Sequence, residues 1–455
     1  MAFFLNIVLE NLNLSLMLKQ ILFSLSLLMT LGIFAYSFRR YYLFFKLTKP
    51  FEVKDFGNRF KIMMNVAFGQ KKILRKPVVG LIHALVFWGF LVITLGSIEM
   101  VIDGLFGTVR ILSFLGGFYS FMVASGDIMA AFIALAMFIF LYRRIFGKVK
   151  RFDGIEMTHK SHIDANIALS IILFLMISLI GMNTFYVAEK LSSGEAVLGV
   201  YPVSQNLAAL VGSMDYSTLH IVHEVNWWAH ILLIFFFANY LPYSKHFHVY
   251  SSIPNVLFSR LEPLGQLYNM ESITKEVKLM MDPDAAFADS PPEEEGEIEK
   301  FGVKDIEDVS WKNYLDSLAC TQCGRCTDVC PANITGKKLS PRKIVMNVRS
   351  RMEDKGPGLI KNGSAFDDGK SLLGDYISAE ELWACTTCNA CAQECPVNIN
   401  QPSMIIDMRR YLVMEESAAP TELNTVFQNI ENNGAPWQYS QDDRMKWAED
   451  LFINA

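Results

Sequence analysis

The chain has 455 residues, of which 52% are apolar and 19% charged; a typical soluble protein carries about 25% charged residues. That length allows two or three domains, and the apolar excess lies almost wholly before about residue 245, which excludes one large water-soluble core. The formal net charge of −5 is segregated by region and leaves no basic footprint for nucleic acid.

Taken in chain order, five stretches are long and apolar enough to cross a bilayer, which needs about 20 residues. They are expected at 17–38, 77–102, 118–142, 163–188 and 222–244. No small-residue cleavage site follows the first, so it reads as a retained span, not a signal peptide. Loop charge orients the bundle. The loop from Arg39 to Lys76 carries eleven Lys/Arg and that from Arg143 to Lys160 carries six. The intervening loops offer Arg110 and Lys190. The N-terminus is therefore expected outside an inner (cytoplasmic) membrane, with both basic loops and the C-terminal region in the cytoplasm. The basic loops suit anionic lipid. Trp227 and Trp228 are expected at the outer interface.

Composition changes after about 248. An acidic, Pro-containing stretch begins at Asp289 and cannot bury a core. A helical pattern resumes near Trp311 (Leu315, Leu318, then Ile344, Val345 and Val348). The tail after about 415 is polar and acidic.

All eight cysteines lie between Cys320 and Cys395. They form two runs: Cys320, Cys323, Cys326, Cys330-Pro331 and Cys385, Cys388, Cys391, Cys395-Pro396. Both match the C-x2-C-x2-C-x3-C-P spacing of two-cluster ferredoxins. Three close thiolates wrap one face of a cubane, and the fourth is carried to the other cluster. One [4Fe–4S] cluster is then expected on Cys320, Cys323, Cys326 and Cys395. The other is expected on Cys385, Cys388, Cys391 and Cys330. Structural zinc is the bland alternative. The long gap between Cys326 and Cys385 calls for a helical domain larger than a small ferredoxin.

Histidines inside spans are uncommon, because polar groups are costly in hydrocarbon. A haem held in a bundle needs imidazoles on facing helices. His83 opens the second span, and His230 and His248 bracket the fifth. His83 and His248 share a depth near the cytoplasmic side and are the expected haem b pair. His246 is the alternative to His248 if that turn is not helical. His159 and His162 read as solvated loop residues, and His220 and His223 as interfacial. Asp127, Glu99 and Glu224 are candidate proton acceptors near a quinone. Pairing or solvation is the bland reading for each.

The membrane half resembles the cytochrome b (gamma) subunit of respiratory nitrate reductases and the membrane subunit of heterodisulfide reductases. The carriers are the early His83, the spacing from His230 to His248, and Pro242-Tyr-Ser-Lys245. The soluble half resembles the iron–sulfur C-type subunit of heterodisulfide reductases, through Ala319-Cys-Thr-Gln-Cys-Gly-Arg-Cys326, Trp383-Ala-Cys-Thr-Thr-Cys388 and Ile406-Asp-Met-Arg-Arg-Tyr-Leu412. One position departs from the gamma pattern. Ile93 stands where a second histidine is expected, about 15 Å of helix beyond the first. His230 therefore lacks its partner for a second haem. Met100 or Met182 is a substitute ligand, and a bundle hydrogen bond or a quinone contact is the alternative role for His230.

The resemblance implies an all-α chain. A five-span bundle occupies 1–248, a connecting segment and linker 249–310, a helical two-[4Fe–4S] ferredoxin domain 311–415, and a tail 416–455. It also implies an electron conduit joining membrane quinone, haem b and two clusters to a separate soluble partner. That partner is a cysteine-rich heterodisulfide-reductase-like protein or a flavoprotein. A molybdoenzyme-type complex and a membrane redox sensor are the competing readings. No phosphate-cradling Gly-rich loop indicates a bound nucleotide.

Overall fold

The computed structural model describes residues 2–147, 149–282 and 300–453. The acidic stretch from Asp289 lies outside them. Among the described residues the regular structure is helical, apart from isolated bridges between Lys49 and Ser310 and between Leu373 and Ile377. Five helices form the membrane half: α1 (Ala2–Phe45), α2 (Pro77–Phe106), α3 (Gly117–Ile145), α4 (His159–Ser193) and α5 (Tyr216–Tyr240). Each contains a stretch long and apolar enough to cross a membrane. Their outer faces agree with that: Met29, Phe121 and Phe138 are 69%, 69% and 61% exposed. Apolar surface of that density calls for lipid, not water.

Local chemistry sets the helix ends. Pro77 occupies the first turn of α2, where a missing N–H costs nothing. The Thr158 and Asp215 side chains accept the N–H groups of Ser161 and Thr218 and so cap α4 and α5. Glycine permits close crossings inside the bundle. A Cβ on Gly89 would stand 3.0 Å from Ile133, and one on Gly104 only 2.7 Å from Phe23.

The fifth span runs to Tyr243, close to the expected end, but its last turn is no longer α-helical. α5 stops at Tyr240, just before Pro242, which has no N–H to continue the helix. Two single 3-10 turns, Leu241–Tyr243 and Lys245–Phe247, then lead into α6 (His248–Leu257). His248 thus opens a separate helix. Trp227 also departs from expectation. It is 8% exposed, with its ring 5.7 Å from Phe23, so it packs inside the bundle instead of anchoring its surface.

The cysteine-bearing domain is built on α7 (Trp311–Ala319), α8 (Pro341–Asn362) and α9 (Gln401–Met414). Its core joins Leu318, Val345, Met352, Ile405 and Met408 to Tyr41 and Phe44 of α1 and to Phe247. Val303, Ile306 and Val309 also lie in this core. The packing therefore reaches back into the segment that the sequence reads as a connector.

A buried ion network secures that segment. Arg351 is fully buried, 2.8 Å from Asp305 and 2.6 Å from Asp368, and Lys355 lies 3.0 Å from Asp305. Burial pushes the Asp305 carboxyl up, but Arg351 and Lys355 hold it below the ordinary value. Its stabilisation is thus present above the usual carboxylate range and is lost as pH falls through the lowered native value. Asp305→Ala leaves Arg351 with Asp368 and Lys355 with Glu307 but removes the carboxylate they share, so it is expected to cost about 1.5–3 kcal/mol, the worth of hydrogen bonds to a charged group. The check is the guanidinium midpoint for loss of cluster absorption, against wild type.

Candidate metal centres

The two cysteine runs adopt the same backbone. Gln322 and Thr387 precede the second cysteine of each run, with φ of 58° and 55°. Gly324 and Asn389 follow it, with φ of 76° and 59°. Left-handed backbone is uncommon outside glycine and is an outlier for β-branched threonine. Such strain concentrates at functional sites. Here it wraps each run into a cup. A Cβ on Gly324 would lie 2.3 Å from the Arg151 carbonyl, so the space requires glycine there, whereas Asn389 holds the equivalent left-handed position of the second run.

Charge effects show which thiols are neighbours. Burial raises Cys326, followed by Cys323, Cys320, Cys395 and then Cys391. Burial pushes Cys395 up to about 12, with Cys323 and Cys320 contributing. Cys391 is likewise pushed up to about 12 by burial and then by Cys385, with Cys330 and Cys388 beside it. The fold thus gathers Cys320, Cys323, Cys326 and Cys395 in one group and Cys330, Cys385, Cys388 and Cys391 in a second, which approaches the first at Cys391. The last cysteine of each run has crossed to the other group. Buried thiolates without compensating charge are costly, and a metal core supplies that charge. Among the described residues no three His, Cys, Asp or Glu side chains converge tightly enough to hold one ion. A cubane, with one thiolate per iron, holds its ligands farther apart. Amide N–H groups also aim at sulfur, from Thr387 to Cys385 at 3.4 Å and from Ile399 to Cys395 at 3.3 Å. Cys388 is exposed, which brings the second group to the surface.

A cavity of about 640 Å³ joins the first group to the bundle. Its wall includes Cys320, Cys323, Cys326 and Cys395 at one end and His83, His246 and His248 beyond them. Nδ1 of His83 is buried without a hydrogen-bond partner. Nδ1 of His248 is too, although it lies near the Lys245 carbonyl. Burial pushes His248 down to about 3, with His246 and His83 adding to the effect. It is thus a neutral imidazole, the form that ligates metal. His246 also lines the cavity, but its Nδ1 is 3.2 Å from Ser244 Oγ. The cavity end carries unpaired cations. Arg143, Arg144 and Arg151 stand 5.8, 4.8 and 5.3 Å from the Phe152 ring, and none has a carboxylate partner among the described residues. Two imidazoles, apolar walls and a cationic end fit a porphyrin with acidic side chains.

His230 is different. It is 1% exposed. Its Nδ1 is 2.9 Å from the Leu175 carbonyl and 3.1 Å from Ser178 Oγ. Its Nε2 is buried and unpartnered. Met100 and Met182 pack in an apolar cluster with Phe23, Trp227, Ile231 and Phe235.

The structure draws most of the other candidates into structural roles. Asp127 accepts the N–H groups of Val203 and Ser204 at 2.7 and 3.0 Å and caps a short helix. Glu99 accepts the Leu112 N–H at 2.9 Å, and Glu224 pairs with Lys19 at 2.7 Å. His220 Nδ1 meets Glu189 at 3.1 Å and His223 Nδ1 meets the Met182 carbonyl at 3.0 Å. His159 and His162 begin α4, outside the cavity wall.

Sequence reasoning did not find the residues that dock the two halves. Arg342 and Glu156, with side chains 1% and 4% exposed, pair at 2.6 Å. The same arginine donates to the carbonyls of Arg151 and Asp153. Ser161 bonds Gln322 at 2.8 Å, and Arg325 donates to the Lys72 carbonyl at 3.1 Å. Both basic loops thereby grip the cysteine-bearing domain. A lone arginine in an amphipathic helix carries no sequence signal of such a contact.

Residues 319–399 match the 4Fe-4S dicluster domain family. The chain is 31% identical to "Probable iron-sulfur-binding oxidoreductase FadF" of Bacillus subtilis over 434 residues, covering 87% of this chain and 56% of that protein. It is 29% identical to "EtfAB:quinone oxidoreductase" of Syntrophomonas wolfei over 410 residues, covering 84% and 53%. A 107-residue stretch is 36% identical to the C-type subunit of the ferredoxin/F(420)H(2)-dependent CoB-CoM heterodisulfide reductase of Methanosarcina acetivorans, covering 23% and 52%. The chain thus spans about half the length of these relatives. No solved structure matches.

Proposed function

We propose that this chain is a membrane-anchored electron relay, carrying electrons between the quinone pool and a soluble redox partner. The carrying observation is the shared cavity, whose wall contains His83 and His248 together with all four thiols of the first cysteine group. His83 and His248 would hold a haem b. Cys320, Cys323, Cys326 and Cys395 would hold the nearer [4Fe–4S] cluster, and Cys385, Cys388, Cys391 and Cys330 the outlying one. The haem supplies one-electron chemistry when bound. The chain's own residues present both imidazoles to the cavity, set arginines at the cationic end and exclude water with apolar side chains. The docking pair Arg342–Glu156 keeps the two halves in register. The exposed Cys388 marks the exit toward a partner such as a heterodisulfide-reductase-like protein or a flavoprotein. The name of the Syntrophomonas relative, which pairs EtfAB with quinone, supports a quinone-linked relay.

We also propose that the N-terminus faces outward across a cytoplasmic membrane. The basic loops 39–76 and 143–160 both contact the cysteine-bearing domain. A cytoplasmic side for that domain therefore agrees with their charge. The domain boundaries proposed are a membrane part over 1–248, a connector over 249–310, a cluster domain over 311–415 and a tail over 416–455. Residues 303–309 pack with the cluster domain.

The test is a dithionite-reduced minus oxidised optical spectrum, with haem and iron quantified on the same sample. One b-type haem with two four-iron clusters per chain is the expected result. Protein made with haem available that shows no b-type band would reduce the reading to a membrane-tethered ferredoxin.

A further inference from the structure

The loop that joins the first two spans folds into a short helix, Phe56–Met63, followed by a wider turn over Met64–Phe68. Asp55 caps its start by accepting the Asn58 N–H at 3.1 Å. Successive helical residues turn by about 100°, so residues three and four apart share a face. That divides this helix into three sectors. One is turned into the protein: Arg59 is buried, and Ile62 and Met63 are partly so. A second is exposed and polar, with Asn58, Lys61 and Asn65. The third is exposed and apolar, and in it Phe56, Phe60 and Met64 are 60%, 56% and 44% exposed.

Neighbouring elements set the level at which the helix lies. Arg59 donates to the Ser259 carbonyl at 2.6 Å, just beyond the end of α6. α6 is itself sandwiched between the two halves of the protein. On one side Ser251 and Asn255 donate to the carbonyls of Leu318 and Val397 in the cysteine-bearing domain, at 3.2 and 2.9 Å. On the other, Tyr250 donates to the Ala238 carbonyl of α5 at 3.3 Å, and its ring stands 5.7 Å from Phe34 of α1. α6 therefore marks the boundary between the membrane bundle and the water-facing domain. At its far end the loop returns to the bundle. Trp88 of α2 donates to the Phe68 carbonyl at 2.8 Å, and the Phe68 and Phe87 rings lie 6.1 Å apart. A helix held between that boundary and a spanning helix lies at the edge of the bilayer.

A stripe of large apolar side chains fits water poorly. A bilayer surface supplies what all the exposed groups need: hydrocarbon for the stripe, water for the polar sector and anionic headgroups for the cations. The loop from Arg39 to Lys76 sets its eleven Lys/Arg against two acids, Glu52 and Asp55. We infer that residues 56–68 form an in-plane anchor on the bilayer surface, with Phe56, Phe60 and Met64 sunk among the acyl chains below the headgroups. Phospholipid, not protein, covers the stripe. This inference needs only the five spans and stands apart from the relay reading. Through Arg59 the anchor also braces α6, the helix that His248 opens.

The test uses the full-length chain, purified and reconstituted in vesicles of phosphatidylcholine and phosphatidylglycerol. Phe60→Cys is compared with Asn58→Cys in the polar sector, with Phe56→Cys as a second position on the stripe. Wild type gives the background from its eight cysteines. The probe is a charged, water-soluble maleimide, the readout is the initial labelling rate, and non-haem iron per chain verifies that each variant folds. Labelling at 56 and 60 is expected to be at least about tenfold slower than at 58, because a face sunk about 5–10 Å into the headgroup boundary is out of the probe's reach. Equal rates at all three positions overturn the inference. So does protection at 60 that is present in native membranes and lost in the vesicles, which assigns the stripe to a protein partner. Protection that disappears when the chain is diluted in excess lipid overturns it as well, because a second copy of the chain is then the cover.

Discussion

If His83 and His248 hold a haem b as proposed, His248→Ala is expected to remove most of the b-type absorption of the purified protein and to leave its non-haem iron unchanged. His248 opens α6 and lines the same cavity as His83 of α2. Loss of an outer-shell partner alone costs a metal site roughly 10–100-fold in affinity. Removing a direct ligand is expected to exceed the lower end of that range, so haem affinity should fall by more than about tenfold. His83→Ala should behave in the same way. His246→Ala should keep its haem, because Ser244 already engages His246. The measurement is haem per polypeptide by pyridine haemochrome, with iron determined in parallel. Haem lost from His246→Ala but kept in His248→Ala would exchange the two assignments.

The second large effect concerns the crossed cysteines. Cys395→Ser should have the spectroscopic phenotype of Cys326→Ser, although the two lie in different runs. Cys330→Ser should match Cys385→Ser. The grouping follows from the neighbours of each thiol, since Cys395 feels Cys323 and Cys320, whereas Cys391 and Cys385 feel Cys330. Each substitution is expected to remove or convert one of the two clusters and spare the other, as read by electron paramagnetic resonance of the reduced protein. Cys395→Ser should also isolate the haem, because it damages the cluster nearest the cavity. If Cys395→Ser instead resembles Cys388→Ser, each run holds its own cluster and the crossing is wrong.

Much of this architecture is written in local pattern. Hydropathy alone marks the five spans, since each helix must satisfy its backbone internally while presenting apolar side chains to lipid. Cysteine spacing likewise announces the duplicated cups, and the structure repeats the same left-handed positions in both. What escaped the sequence reading depends on contacts between distant residues. The network that draws 303–309 into the cluster domain pairs Asp305 with Arg351 across the intervening cysteine motif. Glu156 finds Arg342 from a loop in the other half of the chain. His230 looked like an incomplete haem ligand, and only the Leu175 carbonyl reveals its tautomer. Asp127 looked like a proton carrier because it is a carboxylate in an apolar span. Its partners, Val203 and Ser204, sit in a loop whose return into the bundle has no periodic signature.

The aromatic residues that α1 lends to the cluster domain bear on how the protein can be made. Tyr41 and Phe44 are 3% and 0% exposed in that core, and a Cβ on Gly356 would lie 2.5 Å from the Phe44 ring. Each buried aromatic ring removes roughly 150–250 Å² from water. A ribosome completes α1 and delivers it to the bilayer long before it reaches Cys320. The cysteine segment therefore emerges beside a finished docking template and matures against the membrane surface. A gene fragment encoding the cysteine segment alone would yield a protein with a hole where Tyr41, Phe44 and Phe247 belong, and its sticky rim would recruit chaperones before it recruited iron.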